Sequence, residues 1–265
     1  MFSKILIANR GEIAVRIIRA CKEMGVSTVS VFSEADSTAM HVGLADESYC
    51  IGPALLKNSY LNMGAILTIA AASGAQAIHP GYGLLSENAK FAALCEKCGI
   101  KFIGPDSGTI SRMGDKNEAR IMMKDAGVPV IPGSDIIMDA VRGRAEAARI
   151  GYPVMIKARA GGGGRGIRIV LSENDFEPAF LAAMSEAKSA FGDGEVYIEK
   201  FLSPVKHIEV QFICDEHGNT VCLGERECSV QRKNQKIIEE SPSSSVKPKI
   251  RKEMYEAAKK AAKAV

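Results

Sequence analysis

The chain has 265 residues, 46% apolar and 25% charged, with a formal net charge of +3. That length can bury one large core or two modest ones, in an ordinary globular composition. Near charge balance without a basic block excludes a nucleic-acid surface as the organising feature, and no apolar run reaches membrane-spanning length.

KILIA (4–8) reads as a short buried strand and NRGE as the turn after it. A helix follows, with Ile13, Val15, Ile17 and Ile18 clustered ahead of Gly25. The opening runs from a short apolar stretch into this charged helix without a small-residue cleavage site, so no secretory leader is expected. STVSVF (27–32) is the next strand. The run MGAILTIAAASG is helical and leads to the strand AQAIHP. HPGYGLLSEN turns into a helix over 87–98, and KFIGP closes the unit with another strand. Such alternation predicts a mostly parallel sheet with helices on both faces, and ligands at the carboxyl ends of its strands. NRGE and HPGYG both lie at such ends.

MGDKNEARIMMKDAGVPV reads as one helix with Lys116 at its start, ended by Gly127. Another helix, within MDAVRGRAEAARIGYP, stops at Gly151. The strand PVMIK, a run of glycines, the strand GIRIV, a helix over 172–190 and the strand EVYIEKF complete a small α+β module. From His207 two longer strands, HIEVQFICD and TVCLGERECSV, flank EHGN, a hairpin signal. Past QKIIEE, a Ser/Pro-rich stretch leads into the helix IRKEMYEAAKKAAKAV. The 7 cysteines are odd in number and scattered, which fits a reducing cytoplasm. CEKC (95–98) has zinc-binding spacing but no second pair, and it closes a helix, so its thiols read as structural.

In KARAGGGGRGIRIV (157–170), glycines between two strands let backbone N–H groups approach oxygens that a Cβ would hold away. They are neither a Walker loop nor a G-x-G-x-x-G turn. Alone they fit a flexible hairpin tip equally well. Their place between two β-runs, with Lys157 before them and Arg165 among them, favours a phosphate cradle.

KILIANRGEIAVRIIRAC, AIHPGYGLLSEN, MGDKNEAR, GYPVMIKARAGGGGRGIRIV, YIEKFL, HIEVQ and ERECSVQRKNQKIIEESPS occur in order and cover essentially the whole chain. As a set they resemble biotin carboxylase, the ATP-grasp component of acetyl-CoA carboxylase and related enzymes. The resemblance implies an α/β protein in three parts. A parallel-sheet pre-ATP-grasp domain spans 1–113, a small α+β lid 114–203, and the start of a mixed or antiparallel-sheet C-terminal domain 204–265.

It also implies roles. Lys116 and Lys157 match lysines that hold ATP phosphates, and Gly163 and Gly164 match loop glycines that close over them. Glu199, Lys200, Phe201 and Leu202 match the connector that reads adenine. His207, Gln231 and Asn234 line the nucleotide pocket, with Asn234 standing where relatives often have histidine. Ala160 similarly replaces a glycine at the loop's start. Lys236 matches the lysine that holds bicarbonate or carboxyphosphate, the catalytic position of the set, and Gly83 and Glu87 face the same anion. Two lysines and loop amides supply the positive field that a transferring phosphoryl group needs. His79 reads instead as a strand-end residue bonded to backbone.

The implied cofactors are ATP and Mg2+, with biotin as a substrate on its carrier protein. The implied partners are bicarbonate, the biotin carboxyl carrier protein and a carboxyltransferase, in an often dimeric cytoplasmic enzyme that binds neither nucleic acid nor membrane. Magnesium ligands are expected beyond residue 265. Glu225 and Glu227 share one strand face but are not assigned to metal. The chain ends inside a helical pattern, so an N-terminal portion inactive by itself is expected. The alternatives are another ATP-grasp ligase such as carbamoyl-phosphate synthetase, a non-catalytic ATP-binding or assembly module, and a globular protein whose hinge binds nothing.

Overall fold

The computed structural model describes residues 1–160, 166–232 and 235–265, without the side chains of Lys116 and Asn117. Two compact units divide the chain, Met1–Asp115 and Lys116–Val265.

The first unit runs β1 (Lys4–Ile7), α1 (Gly11–Glu23), β2 (Ser27–Phe32), α2 (Met40–Leu44), β3 (Glu47–Cys50), α3 (Met63–Ser73), β4 (Ala77–His79), α4 (Ala89–Lys97), β5 (Lys101–Phe102) and α5 (Ser107–Gly114). Its five strands are all parallel, in the order β3-β2-β1-β4-β5. Alternation along β1 builds a layer on each face. Leu6 and Ala8 join Ile66 and Ala70 of α3 and Phe91 of α4, whereas Ile5 and Ile7 meet Cys21, Ala14 and Ile18 of α1. Strand order reverses between β1 and β4, and that places a crevice at their carboxyl ends.

Two local differences from the sequence reading, at α4 and β3, have physical causes. The helix expected from Glu87 begins at Ala89, because the Asn88 side chain caps it by accepting the Phe91 N–H at 2.9 Å. Lys116 opens the next helix as the sequence reading has it, because the extended backbone of Asp115 (φ −87°, ψ 111°) ends α5 just before it. ESYC, without a periodic apolar signal, adds the edge strand β3.

The second unit contains α6 (Lys116–Asp125), α7 (Ala140–Ile150), β6 (Val154–Ala158), β7 (Ile167–Val170), α8 (Phe176–Phe191), β8 (Val196–Lys200), β9 (Ile208–Cys214), β10 (Thr220–Arg232), β11 (Gln235–Glu240) and α9 (Pro248–Ala264). Strands β7-β6-β8 form one antiparallel sheet and β11-β10-β9 another. In the first, Val154 and Ile156 of β6 and Val196 and Ile198 of β8 face a core with Ala147 of α7 and Phe176 and Phe180 of α8. Lys157, Tyr197 and Glu199 therefore lie on the other face. In the second sheet α9 reaches β10 through Arg251 and Tyr255, both bonded to Glu225. Among the described residues, no helix is long and apolar enough to cross a membrane.

Candidate functional site

At the crevice of the parallel sheet, Asn9 follows β1 and is 4% exposed. Its amide nitrogen donates to the carbonyls of Pro80, at 2.7 Å, and Tyr82, at 2.9 Å, while its oxygen accepts the Arg10 N–H at 2.9 Å. One buried side chain thus ties the exit of β1 to the turn after β4. Gly81 lies under this clamp at φ +65°, where a Cβ would meet Asn9 Nδ2 at 2.6 Å and Ile13 Cγ2 at 2.8 Å. Gly83 (φ +66°) faces open space instead, and Leu84 follows at φ 48°. The turn presents Tyr82, 78% exposed, together with exposed Gly83 and Glu87. The His79 ring accepts the Gly81 N–H at Nδ1, at 3.0 Å, and burial lowers its pKa.

On the face of the β7-β6-β8 sheet away from that core, Lys157 sits opposite Tyr197 in register and reaches diagonally to Glu199, with Nζ 2.5 Å from Oε2. Lys200 points elsewhere: its ammonium donates to the carbonyls of Gly151, at 2.8 Å, and Tyr152, at 2.9 Å, at the end of α7. The Phe201 N–H donates to Pro153 O at 3.1 Å, and Leu202 is exposed. Lys116 is placed only as the first residue of α6. Gly163, Gly164 and Asn234 lie outside the described residues, as does the side chain of Lys116.

A third group forms on the β11-β10-β9 sheet and brings Lys236 and His207, with Gln231 behind the His207 ring, to a carboxylate absent from the sequence reading, Glu209. Lys236 and Gln231 are cross-strand neighbours. Lys236 donates to Glu209 Oε1, and His207 Nε2 stands 3.3 Å from the same oxygen. The Gln231 amide gives its protons to Cys228 O, at 2.8 Å, and His207 Nδ1, at 2.6 Å. Nδ1 therefore accepts, and the ring proton on Nε2 faces Glu209. Arg226 completes the group, with Nη2 3.1 Å from Glu209 Oε2 and Nη1 3.0 Å from Gln211 Oε1. The bond from Lys236, then that from Arg226, holds the Glu209 carboxyl below its ordinary pKa against desolvation, and the same pairing raises Lys236. Period-two alternation in HIEVQ could have flagged Glu209 beside His207. Arg226 depends on cross-strand register.

Glu225 and Glu227 point to the sheet's other face and are engaged there. Glu225 binds Arg251 at 2.7 Å and Tyr255 at 2.6 Å, and Glu227 binds Lys206 at 2.8 Å, Ser243 at 2.6 Å and Ser245 at 2.7 Å. Among the described residues, no three His, Cys, Asp or Glu side chains cluster as metal ligands would. Glu225 and Glu227, spent on these partners, do not fit a magnesium site, and no step is assigned through one. The seven cysteines are free thiols. Burial pushes Cys95 of the CEKC run up to about 12, which makes it a poor thiolate.

With this geometry, the model for "Biotin carboxylase, N-terminal domain" matches residues 1–110, and that for "Carbamoyl-phosphate synthase L chain, ATP binding domain" matches 115–265. Biotin carboxylase 1 of Bacillus subtilis (strain 168) is 54% identical over 266 residues, covering 100% of this chain and 59% of the relative. The biotin carboxylase of Haemophilus influenzae is 52% identical over 256 residues, covering 96% of this chain and 57% of the relative. The crystal structure of a Campylobacter jejuni biotin carboxylase–beta-gamma-ATP complex superposes with a TM-score of 0.89 at 52% identity, covering 100% of this chain and 59% of that one. The Hydrogenobacter thermophilus 2-oxoglutarate carboxylase biotin carboxylase domain dimer, in complex with MgADP, ADP and bicarbonate, gives 0.86 at 51%, covering 99% and 58%. The class is thus an α/β protein with an ATP-grasp unit. Within it, the chain belongs to the biotin carboxylase family, and it spans 59% of the length of its Bacillus relative.

Proposed function

We propose that this chain supplies the nucleotide- and bicarbonate-handling part of ATP-dependent biotin carboxylation. Bicarbonate oxygen attacks the γ-phosphorus of ATP, and ADP leaves with the bridging oxygen. The resulting carboxyphosphate breaks down to CO2 and phosphate, and a biotin ureido nitrogen on the carrier protein captures the CO2 as its N–H proton passes to the released phosphate. Lys116 and Lys157 hold phosphate oxygens, with the loop containing Gly163 and Gly164 closing over them. Glu199, Lys200, Phe201 and Leu202 form the adenine-facing connector; Lys200 contributes backbone, since its side chain is spent on the end of α7. His207, Gln231 and Asn234 line the nucleotide pocket, Lys236 anchors the small anion, and Gly83 and Glu87 border it.

The observation that carries this reading is the convergence of Lys236 and His207 on Glu209, with Gln231 bonded to the His207 ring, in a chain of this family. A carboxyltransferase partner, a dimeric state and a reducing cytoplasmic setting belong to the same reading. Calorimetry of the 265-residue chain with ATP, then bicarbonate, then free biotin tests it. Nucleotide binding is expected, and a chain that binds no adenine nucleotide would overturn it.

A second reading, nucleotide binding without turnover, draws on the engaged Glu225 and Glu227 and the lack of a metal-ligand cluster among the described residues. Bicarbonate-dependent ATP hydrolysis separates the two.

A further inference from the structure

We propose that Arg120 is a positioning residue for nucleotide binding, fixing the helix that Lys116 opens to the strand that carries Glu199, the partner of Lys157. The inference rests on the nucleotide reading above and adds a residue to which no role has yet been given.

Arg120 lies four residues after Lys116, so the two positions stack on one face of α6. The Arg120 side chain is 16% exposed, and a cation so far from water needs fixed acceptors. It has them across the module, at Ser134 and Asp135. Nη2 donates to Ser134 O at 2.6 Å and stands 3.5 Å from Asp135 Oδ1.

Ser134 in turn belongs to a short segment bound along β8. The Ser134 N–H donates to Ile198 O at 2.8 Å, the Ile198 N–H donates to Ser134 Oγ at 3.0 Å, and the Lys200 N–H donates to Pro132 O at 2.8 Å. Gly133 bridges to Glu199 in the same antiparallel alignment. The guanidinium lies over that glycine. A Cβ on Gly133 would stand 3.2 Å from Arg120 Nη1, 3.4 Å from Glu199 Cγ and 2.9 Å from Ile198 O.

A continuous path therefore runs from the first turn of α6 through Arg120 and the 132–134 segment to Glu199, and from Glu199 to Lys157. The two candidate phosphate lysines stand on separate elements, and Arg120 joins those elements. A planar fork can hold a carbonyl and a carboxylate at once; a lysine ammonium, as a point charge, does not reproduce that grip.

The test uses the whole 265-residue chain and a non-hydrolysable ATP analogue. Calorimetry should show affinity falling about tenfold in R120A and less in R120K, because positioning errors propagate to the bound phosphates. Mass spectrometry of lysine acetylation should find Lys116 protected by the analogue in the parent chain and less so in R120K, which retains the charge if R120A fails to fold. A K116A/R120K double variant should bind no worse than K116A alone, since Arg120 acts through Lys116. Binding by R120K equal to the parent, or fully additive losses, would overturn the inference and leave the nucleotide reading intact. A parent chain that binds no nucleotide would overturn that reading and this inference with it.

Discussion

Gly81 and Gly83 have nearly the same φ, +65° and +66°, yet their replacement should differ in cost. An alanine at either pays the left-handed backbone penalty, about 1–2 kcal/mol. Only at position 81 would it also drive a Cβ into Asn9 and Ile13, an overpacking cost of about 1–3 kcal/mol more. Urea denaturation should rank G81A well below G83A, and the reverse order would refute the clamp. A second residue-scale expectation concerns acid. The bond from Lys206, then those from Ser243 and Ser245, hold the Glu227 carboxyl at about 2, against an ordinary 4.5. A depressed carboxylate stabilises the fold above its unfolded pKa, and that contribution is lost as pH falls towards the folded value. Stability should therefore decline between about pH 4.5 and 2, and E227Q should flatten that limb of a pH–stability curve.

At the scale of elements, α9 is fastened to β10 by a carboxylate that is itself 1% exposed, Glu225. R251M should cost about 3 kcal/mol in chemical denaturation, because it takes from a buried carboxylate the one cation paired with it among the described residues and leaves it to Tyr255 and Ser243. Adding E225Q should recover much of the loss, and additive losses would show that the pair is not coupled. Alternation made β6 and the β9–β10 hairpin legible in the sequence, as it did the parallel-sheet unit. The strand β11 escaped because it is exposed throughout, so no buried face imprints a period on QKIIEE. The boundary near Asp115 was legible, with Lys116 opening the helix that follows it.

For the whole molecule, each unit has its own core, one around Leu6 and Phe91 and one around Ile156 and Phe180. L6A should remove about 2–5 kcal/mol and F180A about 3–5 kcal/mol, and so each should label the thermal transition of its own unit. A nucleotide analogue should raise the transition that F180A lowers; raising only the one that L6A lowers would contradict the placement of the nucleotide. The division of the site between sequence and structure follows the same physics. Lys157 stood out beside the glycine loop, and His207, Gln231 and Lys236 only through the family resemblance. The Glu209–Arg226 pair did not, because it requires a register across β9 and β10 that shifts by an irregularity between Cys222 and Gly224.

The Asn9 clamp also has a practical consequence. It grips the backbone at Pro80 and Tyr82 while leaving the Tyr82 side chain 78% exposed. A reporter attached through Y82C would ride on an anchored base rather than a swinging loop. Its signal would register what enters the crevice, while N9D, which turns two attractive contacts into oxygen facing oxygen, would serve as the control in which the base itself has come loose.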